Sequence, residues 1–296
     1  MVTQQLHLPD KPFRYGMLAL LVALLSIYMG LMWRYGDTAH MGMSGLFILA
    51  TGMLLWERRD LKLTPTGAGM VLGAIGVVLF LGISTWLFPQ AATHGEVGNQ
   101  GGKIFTVFLR LLPALAGLSV ALLASGWAGM RQFWRELGIL LALGLPGVVA
   151  AFIADISPLT ARFSGWLLQA GGYDVVREGL VLRLPGGGVE VYYGCSGMES
   201  ISYLIGLSAL CLIVYPVSGL KRYITPVMGI ILGFVINAIR VALMAVLWSS
   251  GNEIGFTYWH EGEGSLMFGL IAVIAFGCFY MVIQLLDQRQ VASGTK

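Results

Sequence analysis

The chain has 296 residues, 57% of them hydrophobic and only 11% charged, with a net charge of +3. A mean hydropathy of +0.79 is far above that of a water-soluble domain, so the composition describes a polytopic membrane protein. The small net charge argues against nucleic acid as a partner, and three cysteines without paired spacing form neither a disulfide framework nor a zinc pattern.

Residues 1–15 are polar and carry Lys11 and Arg14, and the apolar run from Met17 to Trp33 is long enough to cross a bilayer. A cleaved signal peptide would be followed by soluble sequence, whereas Arg34 to His40 only make a short turn before a second run, Met41 to Trp56. Glu57, Arg58, Arg59, Asp60 and Lys62 form a charged loop. A third span is expected from Gly67 to Phe88, followed by the glycine-rich loop Pro89 to Lys103, whose composition predicts mobility. The fourth, Ile104 to Gly126, contains Arg110 and Pro113. Arg131 and Arg135 sit in the next loop, and the fifth span, Leu137 to Ile153, ends at Asp155.

Between Ile156 and Tyr193 the periodicity changes. Ala161 to Leu168 reads as a short amphipathic helix on the membrane surface, with Phe163, Trp166 and Leu167 on its apolar side. A hairpin follows: Leu180, Leu182 and Leu184 alternate with Val181 and Arg183, Pro185 to Gly188 supply a turn, and Val189, Val191 and Tyr193 alternate with Glu190 and Tyr192. The sixth span is expected from Met198 to Val217. The seventh, Ile224 to Ser250, carries Asn237 and Arg240. Gly251 to Gly264 reads as a polar loop containing His260, before the eighth span, Leu266 to Leu286. The fold expected is an all-α integral membrane protein with about eight transmembrane helices and, before Cys195, a small extracytoplasmic amphipathic helix and β-hairpin.

With both termini in the cytoplasm, the cytoplasmic segments hold Lys11, Arg14, Arg58, Arg59, Lys62, Arg131, Arg135, Lys221, Arg222, Arg289 and Lys296. The outer segments hold only Arg34, Lys103, Arg162, Arg177 and Arg183. This excess of inner cations sets the orientation. It puts the hairpin, Cys195 and His260 outside.

The chemistry centres on Gly194-Cys195-Ser196-Gly197-Met198-Glu199-Ser200, where a polar, strand-like segment meets an apolar helix. Unpaired N–H groups and the dipole at a helix start favour thiolate. Read alone, Cys195 is either such a nucleophile or a small buried cysteine. Cys211 and Cys278 lie within apolar runs and read as packing residues. Charges within spans are costly, so Arg110, Glu199 and Arg240 require an account, whether as pairs that fix helix packing or as parts of a site. Asn237 shares a helical face with Arg240. At about 1.5 Å of rise per residue, Glu199 and Arg240 come to similar depths, and the expectation is that they face and bond each other. His260, near Phe256 and Trp259, is either an interfacial residue or an acid/base group. His40 and His94 are also expected outside but have no short connection to the sixth helix, and His7 is expected inside. Thiol, guanidinium and imidazole on consecutive helix ends match the nucleophile, oxyanion stabiliser and proton-transfer group of cysteine acyl transfer.

Cys-Ser-Gly opening one span, Asn-x-x-Arg within the next and a histidine before the last resemble the exosortase/archaeosortase family of integral-membrane processing enzymes. The segment Asp174 to Tyr193, with its Leu-Pro-Gly turn, is similar to the hairpin that precedes that family's cysteine. The resemblance covers roughly 155–286; the first four spans match only in being hydrophobic. With no convincing internal repeat and no second domain in the sequence, the expectation is a single polytopic domain over 1–296, with N-terminal helices in 1–136 and a family-like catalytic core in 137–286 that holds the outer insertion 156–194. The resemblance implies a sortase-like cysteine transpeptidase, or thiol protease, in the cell membrane. Its substrates would be exported proteins with a C-terminal sorting signal (PEP-CTERM): a Pro-Glu-Pro-type motif, a transmembrane helix and a basic tail. Cys195 would be the nucleophile, Arg240 the stabilising arginine and His260 the proton-transfer residue. Glu199, Asn237, Ser196 and Gly197 would support them, with the N–H groups near Ser196 and Gly197 helping to hold the oxyanion. Besides membrane lipids, the partners would be the tailed protein and an acceptor amine or water. No metal or cofactor is called for. The rivals are a transporter with intramembrane charges, a membrane thiol acyltransferase, and a serine protease using Ser196 or Ser200.

Overall fold

The computed structural model describes residues 10–58, 61–90, 100–152, 155–260 and 263–292. His7, Arg59, Asp60, His94, Lys296 and most of the loop after the third span lie outside the described residues. The helices are α1 (Asp10–Tyr35), α2 (Thr38–Glu57), α3 (Gly67–Gln90), α4 (Gln100–Gly129), α5 (Trp134–Ala150), α6 (Ser157–Ala170), α7 (Met198–Val214), α8 (Lys221–Ser249), α9 (Glu253–His260) and α10 (Glu263–Ala292). Three short strands, β1 (Val176–Glu178), β2 (Val181–Leu184) and β3 (Gly187–Glu190), lie between α6 and α7.

Among the described residues, six stretches are long and apolar enough to cross a bilayer: Lys11–Tyr35, Thr38–Glu57, Gly67–Pro89, Ile104–Ala150, Lys221–Ser249 and Gly264–Gln290. The fourth is a 47-residue run that spans most of α4 and all of α5, joined through the 3-10 turn Met130–Phe133. α7, at 17 residues, is a shorter apolar helix. The protein is thus an all-α, multi-pass membrane protein with a small sheet.

The chain forms two compact units, Met1–Val148 and Val149–Lys296. In the first, α3 packs closely on α4 because glycines face the contact. A Cβ at Gly73 would meet Leu123 and Ser119 at 2.6–2.8 Å, and one at Gly76 would meet Ser119. Tyr28, fully buried, bonds the His40 Nε2 at 3.0 Å and the Ser44 hydroxyl at 2.8 Å. Arg58 pairs with buried Glu136 at 3.1 Å. Arg110 packs against the Gly144 and Gly147 face of α5. It therefore belongs to the first unit, whereas the thiol belongs to the second.

In the second unit, Asp155 closes the start of α6 by accepting from the Ser157 N–H at 2.9 Å and hydroxyl at 2.6 Å. α6 buries Ser157, Thr160, Ala161, Ser164, Gly165 and Leu168. Trp166, on the side read as apolar, is 57% exposed, and α6 packs on the protein through its small and hydroxyl side. Small and hydroxyl side chains let the α6 backbone approach α8 closely, Phe163 packs on Phe234 of α8, and Trp166 is left outside. The sheet is antiparallel in the order β1-β2-β3, one strand more than the expected hairpin. Gly186, with φ 100, allows the tight β2–β3 turn after Pro185. Leu182 and Val189 are direct partners, and their face of the sheet packs with Ala161, Val241 and Ala245. α7 packs along α8, where Gly229 and Gly233 meet the main chain at Leu204 and Ile201.

Candidate active site

Cys195 ends the 3-10 turn Tyr193–Cys195 and precedes α7, which starts at Met198. The four-residue spacing from Cys195 to Glu199 would put both on one face only of a helix that began at the thiol, and α7 begins after it. Gly197 caps α7 with φ 93, in the left-handed region. A Cβ there would lie 2.9–3.1 Å from the Asn237 side chain, so conformation and space both call for glycine.

Side chains from two helices hold this turn. Asn237, 4% exposed on α8, donates from Nδ2 to the Cys195 carbonyl at 2.8 Å. Thr160 on α6 donates to the Ser196 carbonyl at 2.6 Å. Ser196 is fully buried, and its hydroxyl accepts from the Met198 N–H at 3.3 Å. Its own N–H donates to the Tyr193 carbonyl at 3.1 Å, so the oxyanion contact expected from that N–H is already occupied.

The turn after α8 brings the imidazole back. Gly251, with φ 69, donates to the Trp248 carbonyl at 3.1 Å while Asn252 N–H donates to the Leu247 carbonyl at 3.0 Å. This glycine-terminated stop reverses the chain. The Asn252 side chain then accepts from the Gly255 N–H at 2.9 Å and opens α9. His260 is thus the last residue of a helix and not part of a loop. Its Nε2 lies 3.9 Å from the Cys195 Sγ. Phe256, one turn earlier, stacks on its ring at 5.1 Å and 14°. Trp248 in turn packs against Phe256 at 5.0 Å.

Arg240 does not pair with Glu199. Its NH2 donates to the His260 carbonyl at 2.8 Å, whereas the Glu199 carboxylate accepts from Tyr203 at 2.7 Å and is exposed. The two helices turn these groups to different partners: Tyr203 lies one turn after Glu199 on α7, and α9 covers Arg240. The Arg240 Nε is buried without a hydrogen-bond partner among the described residues. A cleft of about 270 Å³ runs beside the pair, lined by Cys195 and His260 together with β3, Val241, Met244, Trp248 and Phe256. Arg240 reaches the cleft's edge through its bond to the carbonyl of His260.

Cys195, Asn237, Arg240 and His260 are therefore linked in one cluster, supported by Ser196 and Gly197, and Glu199 stands apart. Sequence reasoning missed Thr160, Phe256 and Trp248. The signal for Thr160 was the run of small and hydroxyl residues at helical spacing in 157–165, and Phe256 lies one turn before His260. The transmembrane exosortase family model matches residues 32–277, most of the chain. No curated protein and no solved structure matches. A match of that extent means that the chain belongs to the transmembrane exosortase family, which suggests a membrane-embedded sorting transpeptidase.

Proposed function

We propose that the protein is a cysteine transpeptidase or endopeptidase that cleaves the C-terminal sorting signals of exported proteins through a thioester on Cys195. The observation that carries this reading is the 3.9 Å approach of Sγ to the His260 Nε2 at one cleft. That distance is long for a hydrogen bond, as resting nucleophile–base pairs often are before substrate closes the site.

Cys195 gives its thiol proton to His260, and the sulfur attacks the scissile carbonyl carbon. The resulting oxyanion is stabilised by Arg240, whose buried Nε has no acceptor in the resting site. The C–N bond breaks as His260 gives its proton to the leaving amine. An acceptor amine or water then attacks the thioester and loses a proton to His260, the C–S bond breaks, and His260 returns that proton to the leaving sulfur. The substrate's transmembrane helix enters laterally, and its Pro-Glu-Pro-type motif occupies the cleft. Both termini are cytoplasmic and the cleft opens outward, as the distribution of Lys and Arg supports.

The test uses a synthetic reporter carrying a Pro-Glu-Pro motif, a transmembrane helix and a Lys/Arg tail. Mass spectrometry should find its N-terminal fragment on Cys195, and Cys195→Ala should neither form the adduct nor cleave. Cleavage by Cys195→Ala would remove the thioester mechanism. With Cys211 and Cys278 replaced by alanine, a membrane-impermeant thiol reagent should label Cys195 from the outer side only. Labelling from the cytoplasmic side would invert the orientation. In a transporter, blocking Cys195 would leave function untouched.

A further inference from the structure

The sheet beside the thiol has an edge that the acyl-transfer chemistry does not use. Val191 N–H donates to the Leu180 carbonyl at 3.0 Å, and the register pairs Leu182 with Val189 and Leu184 with Gly187. Main-chain groups alternate in direction along an antiparallel ladder. Gly187, Val189 and Val191 therefore turn theirs toward β2, and Gly188 and Glu190 turn theirs away from it. β3 is the last strand of the sheet, so that outer side has no partner strand among the described residues. An unpaired edge is a template for another extended chain. Here it lines the same cleft as Cys195 and His260.

We infer that the substrate binds by strand addition: the extended segment leading to the scissile bond pairs with the main chain of Gly188 and Glu190 on the free edge of β3. This rests on the cysteine-protease reading. The direction follows from α8. A Cβ at Gly187 would lie 3.0 Å from the Trp248 ring, whereas the Cys195 carbonyl is bonded to Asn237. From β3 to the thiol the chain thus descends roughly 17 Å along α8, from the helix end toward its middle. A substrate whose transmembrane helix follows the scissile bond descends in the same direction, so the added strand is parallel to β3. Its alternate side chains face Val241, Met244 and Trp248, an apolar surface.

Strand pairing turns only every second substrate residue toward β3. A Pro-Glu-Pro triad meets this condition in one phase alone. The glutamate amide faces β3, and both prolines, which have no N–H to offer, face outward as prolines on an edge strand must. The motif's alternation then becomes a matter of backbone geometry as well as side-chain fit.

The test replaces single amides of the synthetic reporter by esters and follows cleavage by the wild-type enzyme. An ester at the glutamate, or at the residue just before the first proline, should lower turnover about tenfold. At the residue before that, in phase with the prolines, the change should stay within about twofold. On the enzyme side, Glu190→Pro deletes the outward N–H and should be about tenfold slower than Glu190→Ala, which keeps it. Iodoacetamide should alkylate Cys195 equally in both variants. Ester effects without this period of two, or equal rates for the two Glu190 variants, would overturn strand addition and leave the thioester reading standing. If Glu190→Pro fails to fold, the ester series on the wild-type enzyme still decides. An all-amide reporter that is neither cleaved nor attached to Cys195 would overturn both readings.

Discussion

Asn237 and Arg240 lie one turn apart on α8, and each holds the main-chain carbonyl of one half of the thiol–imidazole pair: Asn237 that of Cys195 and Arg240 that of His260, both at 2.8 Å. One helix face therefore sets the distance between sulfur and imidazole. Neither contact needs substrate. The Asn-x-x-Arg spacing is in this sense a ruler for the pair, whatever further part Arg240 takes once a carbonyl enters.

Removing the Asn237 end of that ruler should be costly. Asn237→Ala leaves the Cys195 carbonyl without its donor in a buried site, an expected destabilisation of about 1–3 kcal/mol. Cleavage of the reporter should fall about tenfold or more even in fully folded enzyme, because the sulfur is no longer held against His260. Thermal unfolding and turnover measured on the same preparation separate the two effects. Wild-type turnover would mean that the turn holds itself.

Gly197→Ala tests the same turn without touching a hydrogen-bonding group. The added methyl meets Asn237 at 2.9–3.1 Å, and φ 93 is strained for any L side chain. A loss of about 1–3 kcal/mol in stability is expected, together with lower turnover. A variant as stable and active as the parent would contradict the left-handed cap.

Phe256 should matter through His260. Truncation to alanine removes a stacked ring whose contact is worth about 0.5–1.5 kcal/mol, so turnover should drop roughly two- to tenfold. Phe256→Tyr, which keeps the ring, should recover most of it. His260→Ala should abolish cleavage. If Phe256→Ala proved as severe, the ring would be doing more than steadying the imidazole.

His40 makes the contrasting case. It is 1% exposed and bonded to Tyr28 within the first unit. His40→Ala should destabilise the protein by about 1–3 kcal/mol while the folded fraction cleaves at the normal rate. A specific loss of turnover without loss of stability would bring His40 into the chemistry.

Thr160→Val, nearly the same shape, deletes the 2.6 Å bond to the Ser196 carbonyl. Turnover should fall about tenfold, with iodoacetamide labelling of Cys195 altered in parallel. Unchanged labelling and turnover would show that Asn237 suffices to hold the turn.

The sequence by itself determined the membrane class, because runs such as Met17 to Trp33 and Leu266 to Leu286 leave no other way to satisfy a backbone than a buried helix. It also determined the hairpin, through the alternation around Pro185-Gly186, and it singled out Cys195, Asn237, Arg240 and His260 by type and order. The helix carrying His260 was written in Gly251-Asn252-Glu253, a stop and a cap in succession, but an apolar-period reading passed over it because eight residues are too few to show a face. Tertiary structure alone decided the partners. Helix starts alone put Glu199 and Arg240 level, but the contacts of Gly197 with Asn237 and of Ile201 with Gly233 set Glu199 about 7 Å farther along the bundle, where it meets Tyr203 while Arg240 reaches the His260 carbonyl. The packing side of α6 was decided in the same way. In water the large apolar residues would be buried, whereas in a membrane protein close backbone approach favours the small ones, and so Thr160 and not Trp166 faces the site.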